Sequence, residues 1–110
     1  MNWLVGARRA GKRRRGLRPT AYWLTTTHDR RRTGTDSVLV CLITPNERDA
    51  PLLRVALPAG EQTGLHRLSW VQLEKLTAVA RNQVGQRIGV ADGVAMLDVG
   101  RKLTVLLGIG

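Results

Sequence analysis

The 110-residue chain has the length of one domain and, at 43% hydrophobic residues, enough apolar side chain to bury a core. A single cysteine, Cys41, excludes an internal disulfide, and one Cys with two His leaves too few ligands for a zinc site, which needs about four. The formal net charge of +10 is uneven: residues 1–32 carry ten Lys and Arg against one acid, whereas residues 33–110 carry eight against seven.

In chain order, Asn2–Val5 is a short strand. Gly6–Leu17 is a Gly/Arg-rich loop without apolar periodicity, and it contains Lys12, Arg13, Arg14 and Arg15. Arg18–Thr27 is extended, since Tyr22, Trp23 and the threonines favour a strand. His28–Asp36 is polar and turns at Gly34. Ser37–Ile43 is a β-branched, apolar strand that is expected to be covered on both faces. It places Cys41 in an apolar run, where a buried, inert thiol is expected. Leu52–Leu57 alternates around Arg54 and stops at Pro58 and Gly60. Leu65–Val79 suits one long bent strand or two short ones, and Gln86–Val90 is a last strand. Asp92 then caps a helix whose apolar residues Val94, Leu97, Val99, Leu103 and Leu106 follow at helical spacing, with Gly108 as its stop. Short strands followed by one terminal helix describe a single-domain, strongly bent β-barrel over residues 1–110.

No stretch is apolar and long enough to span a bilayer, and Trp3-Leu4-Val5 is too short for the apolar core of a signal peptide. A cytoplasmic protein is expected. The basic N-terminal third calls for an anionic partner. Nucleic acid suits it, because Arg meets phosphate with a planar bidentate fork. A solvated loop and a docking site for an acidic protein fit the same charges.

Neither a P-loop, nor a dinucleotide-binding fingerprint, nor a Gly-x-Ser-x-Gly elbow is present. RNA can nevertheless be cut without a metal or other cofactor, because its own 2′-OH attacks the neighbouring phosphorus. The protein must then position the phosphate and stabilise charge on its oxygens. An Arg and a Thr can supply this, and Arg18 opens one strand while Thr44 closes another. The same residues, each followed by proline, also serve simply as strand boundaries. A two-histidine mechanism would use His28 and His66.

Several segments, taken in order, are similar to the MazF/PemK toxin family. Gly16-Leu17-Arg18-Pro19-Thr20-Ala21-Tyr22-Trp23-Leu24 resembles the family strand that follows a basic first loop. Val38–Thr44 resembles the next strand, and Leu52–Pro58 the one after it. Ser69-Trp70-Val71-Gln72-Leu73-Glu74-Lys75-Leu76, then Gln86-Arg87-Ile88-Gly89, then a helix ending Leu106-Leu107-Gly108 complete the set. The resemblance implies an SH3-like barrel of the CcdB/MazF type. It implies a homodimer and a metal-independent endoribonuclease of a type II toxin–antitoxin system. Such an enzyme cuts single-stranded RNA to a 2′,3′-cyclic phosphate and a 5′-OH, and an acidic, MazE-like antitoxin inhibits it. The family's catalytic Arg and Thr fall on Arg18 and Thr44; separately from the resemblance, the dense charge of Lys12, Arg13, Arg14 and Arg15 suits RNA contact. The departures lie at the N-terminus, where Asn2-Trp3-Leu4-Val5 stands for a Gly-Asp/Glu-apolar-Trp strand and the first loop is unusually Arg-rich. Two other readings are a member that binds antitoxin without cutting and a gyrase-poisoning toxin on the same barrel.

Overall fold

The computed structural model describes residues 2–7, 21–25, 37–46 and 53–108. Within them the chain forms β1 (Trp3–Ala7), β2 (Tyr22–Thr25), β3 (Ser37–Thr44), β4 (Arg54–Leu57) and β5 (Ser69–Ala80). A 3-10 turn (Arg81–Gln83), β6 (Val84–Val90) and α1 (Gly93–Leu107) follow. The strands make one sheet in the order β4-β5-β3-β2-β1-β6, with every neighbouring pair antiparallel. This is the mainly β architecture with a C-terminal helix that the patterning predicts. β1 runs beyond its expected end at Val5, because Gly6 pairs with Tyr22 and Ala7 with Val84.

The stretch expected to be one bent strand or two is one strand, β5. Its register against β3 breaks: Val40 faces Thr77, but Leu42 faces Gln72. The extra β5 residues between those rungs leave the ladder and bend the strand, as inserted residues do. Before the bend β5 lies between β3 and β4; beyond it, β5 pairs with β3.

Alternation along the strands sends one set of side chains into the core. Leu4, Leu24, Cys41, Ile43, Val55, Leu57, Val71 and Leu73 meet there, joined by Leu65, Ala91 and Val99. Each fully buried leucine contributes roughly 1.5–3 kcal/mol relative to exposure. β3 is covered less completely than its composition predicts, since Leu39 is 44% exposed.

The two edge strands, β4 and β6, do not pair with each other. The connection after β4 bridges them instead. The Val90 N–H donates to the Gln62 carbonyl at 2.8 Å. Gly89 lies so close to Thr63 that a Cβ there would enter the Thr63 carbonyl group, and Gly64, at φ +74°, presses equally on Ile88. The sheet is thus barrel-like but not closed, with a loop packed on backbone spanning its two edges.

Helix α1 starts where the Asp92 carboxylate accepts the Ala95 N–H at 2.8 Å and ends at left-handed Gly108. Its packed face differs from the expected one. Val99, Ala95, Met96 and Leu103 meet the core, whereas Val94 is 78% and Leu97 56% exposed. At about 100° per residue, Val94, Leu97 and Val105 share a stripe opposite Val99 and Leu103.

Candidate active site

Thr44 is the last residue of β3, and Pro45 ends the strand by removing a ladder donor. The Asn46 N–H donates to Thr44 Oγ1 at 3.1 Å, a side-chain turn of the kind Ser and Thr favour. With that oxygen occupied as an acceptor, the Thr44 O–H remains available as a donor. Ile43 is in the core, so strand alternation puts Thr44 on the opposite face of the sheet. Half-buried Trp70 is its partner across the ladder, with exposed Ala56 beyond.

The adjoining rung on this face runs Trp23, Leu42, Gln72, Arg54. Arg54 is only 6% exposed. Its Nη2 donates to Glu74 Oε2 at 3.1 Å, and its Nη1 donates to the Asn46 carbonyl at 3.3 Å. Its Nε is buried with no acceptor among the described residues. From the helix, Lys102 Nζ donates to the Arg54 carbonyl at 3.0 Å and pairs with Asp98. A buried guanidinium therefore lies one rung from Thr44 and holds the turn that follows it.

Of the residues proposed from sequence, Thr44 is described. Arg18, Lys12, Arg13, Arg14, Arg15 and His28 lie outside the described residues. The two ends of the segment that carries the basic cluster and Arg18 are described, and they are held together. The Ala7 N–H donates to the Ala21 carbonyl at 2.9 Å, Gly6 pairs with Tyr22, and Tyr22 pairs with Ile43, next to Thr44. His66 is exposed on the β4–β5 connection. Cys41 is fully buried. Burial, and secondarily the negative charge of Glu74, push its thiol up to about 11, so it is no nucleophile at neutral pH. Among the described residues no cluster of three or more His, Cys, Asp or Glu is placed to hold a metal ion.

Sequence reasoning did not single out Arg54 or Glu74. The one signal is an arginine flanked by Leu53 and Val55 inside an apolar strand. Its meaning depends on the β4–β5 register, which local sequence does not encode.

The chain as a whole has known relatives. Residues 3–107 match the family of PemK-like, MazF-like toxins of type II toxin–antitoxin systems. The chain is 37% identical over 81 residues to a probable endoribonuclease MazF of Mycolicibacterium smegmatis, covering 74% of each sequence. Among solved structures it superposes on the Mycobacterium tuberculosis toxin MazF-mt6 with a TM-score of 0.77 at 17% identity, covering 98% of both chains. A mycobacterial endoribonuclease solved in complex with its cognate antitoxin superposes at 0.72 and 18% identity, covering 100% of this chain and 96% of that one. At these identities the superpositions speak for the fold, and the sequence matches speak for descent. The chain belongs to the PemK-like, MazF-like toxin family of type II toxin–antitoxin systems.

Proposed function

We propose that this protein is an endoribonuclease that cuts single-stranded RNA without a metal ion. The observation that carries the reading is the neck of the basic segment: Ala7 and Ala21, the described residues that flank positions 8–20, are hydrogen-bonded to each other, and Tyr22 pairs with Ile43 beside Thr44 at the end of β3. Arg18 precedes Tyr22 by four residues, a tether of at most about 14 Å. A tether of that length lets an Arg guanidinium and the Thr44 hydroxyl reach one phosphate.

In this mechanism the 2′-OH attacks the adjacent phosphorus and the 5′-oxygen leaves. A proton passes overall from the first oxygen to the second, and the products are a 2′,3′-cyclic phosphate and a 5′-OH. Arg18 stabilises the charge that develops on the phosphoryl oxygens and orients the leaving group. Thr44 donates its free O–H to a non-bridging oxygen. Lys12, Arg13, Arg14 and Arg15 hold flanking phosphates, which adds affinity but no base preference. The similarity to a probable endoribonuclease supports this reading over gyrase poisoning.

The expected partners are a second copy of the chain and an acidic antitoxin. The exposed stripe Val94, Leu97, Val105 on α1 suits the first, and the net charge of +10 suits the second. Among the described residues no helix is long and apolar enough to cross a membrane, and a cytoplasmic site of action matches an RNA substrate.

The test is cleavage of RNA in excess EDTA with mapping of the cut ends. Wild type should leave cyclic phosphate. Arg18→Ala should lose on the order of 100- to 1,000-fold in rate while keeping its circular dichroism spectrum. Arg18→Lys should recover little of this, for want of the planar fork. Neutralising Arg13, Arg14 and Arg15 should weaken RNA binding and flatten its salt dependence. Near wild-type cleavage by Arg18→Ala would overturn the assignment and turn attention to His28 and His66. A wild type that never cuts would favour the member that binds antitoxin alone.

A further inference from the structure

We infer that Arg54 is a positioning residue for Thr44, acting through the backbone of Asn46. The inference rests on the reading of Thr44 as a phosphate-holding group. Asn46 is gripped at both of its backbone polar groups: its N–H by Thr44 Oγ1 at 3.1 Å and its carbonyl by Arg54 Nη1 at 3.3 Å. Pro45 and Asn46 are themselves exposed, so nothing in their own packing fixes the turn. The Arg54 guanidinium is fixed. Its side chain is 5% exposed, its other Nη is tied to Glu74, and its backbone is registered against Gln72. A rigid group on β4 thus sets the turn that in turn sets the Thr44 oxygen, which leaves the hydroxyl hydrogen pointing away from Asn46.

A stability role alone accounts poorly for this arrangement. A buried guanidinium whose Nε has no acceptor among the described residues carries a desolvation penalty. An apolar side chain of similar volume is often as stable in such a place. What the guanidinium supplies that an apolar side chain lacks is a donor for the Asn46 carbonyl. Geometry at a reacting phosphate is sensitive, since displacements on the order of 1 Å are worth up to about 100-fold in rate.

The experiment is a double-mutant cycle read by single-turnover cleavage of a defined RNA oligonucleotide, with thermal melts to confirm folding. Its variants are Arg54→Met, Arg54→Lys, Thr44→Ala and the two doubles. Arg54→Met should slow the cleavage step about tenfold with RNA affinity unchanged. In the Thr44→Ala background the same change should cost less than about twofold, because the group it positions is gone. Arg54→Lys, which keeps the charge but reaches only one acceptor, should fall between and show the same non-additivity; it carries the test if Arg54→Met fails to fold. Amide exchange supplies a readout independent of activity: the Asn46 N–H should exchange faster in Arg54→Lys while the Val71 amide, paired between β3 and β4, stays protected. Equal losses in both backgrounds, or an unchanged rate in the Arg54 variants, would overturn the inference and leave the role of Thr44 standing. Wild-type cleavage by Thr44→Ala would instead remove that role and the inference with it.

Discussion

Cys41 and Thr44 sit on the same strand and face opposite sides of the sheet, which gives them opposite chemistry. Thr44 meets the outer face with a donor to spare, whereas Cys41 is sealed in the core with its thiol pushed up from 9.0 to about 11. The folded protein therefore keeps a proton that the unfolded chain releases near pH 9. The stability this represents is complete below pH 9, is lost as pH rises towards 11, and is flat beyond; it is on the order of 2 kcal/mol. Denaturant unfolding between pH 8 and 11 should show this decline, and Cys41→Ala should show a shallower one. A slope unchanged by Cys41→Ala would assign the decline to other groups. The burial of Cys41 and the place of Thr44 were legible in the sequence, because a β-branched run ending at Thr44-Pro45 marks both. Arg54 was not. Its partners Asn46 and Glu74 lie on other segments, and only the pairing of β4 with β5 brings them together.

Strands and helix were legible as elements because their composition and spacing are local properties. Their boundaries and faces depended on neighbours. β1 continues to Ala7 because β2 and β6 offer ladder partners, and the packed stripe of α1 is chosen by the core residues it meets. The glycines make the same point in measurable form. Gly89→Ala would force a methyl group into the Thr63 carbonyl, so the β4–β5 connection must move off β6. A loss of roughly 2 kcal/mol or more is expected, within the range of overpacked sites. Gly100 faces open space within α1, so Gly100→Ala should stabilise by about 0.8 kcal/mol through helix propensity. Urea titrations of the two variants should shift in opposite directions. A neutral Gly89→Ala would mean that the connection does not seal the sheet.

For the whole molecule, the exposed α1 stripe sets the expectation. Val94, Leu97 and Val105 place bulky apolar groups in water on the helix surface opposite the core-facing one. Covered by a second copy, they would extend the core; left bare, they would favour association. Sedimentation of wild type at micromolar concentration should therefore give a dimer, and Leu97→Glu with Val105→Glu should give a folded monomer. A wild-type monomer would leave the stripe to the antitoxin. The barrel as a whole was foreseeable from short strands and one terminal helix. That the sheet stays open, with a loop across its edges, was not, because two edges that fail to pair leave no mark in strand patterning.

The join at the far side of the sheet bears on how the chain reaches this state. β1 lies between β2 and β6, and Asn2 is bound to Ala91 through both its backbone carbonyl and its side-chain amide, across 89 positions of sequence. While the chain is being synthesised, β2 reaches β1 early, but the other edge of β1 keeps its backbone groups open until residues 84–90 emerge. Joining ends so far apart is slow, and an open strand edge invites pairing with other chains. The nascent protein thus has strands β2, β3 and β5 available before its sheet is complete, and its solubility during that interval depends on how quickly β6 arrives.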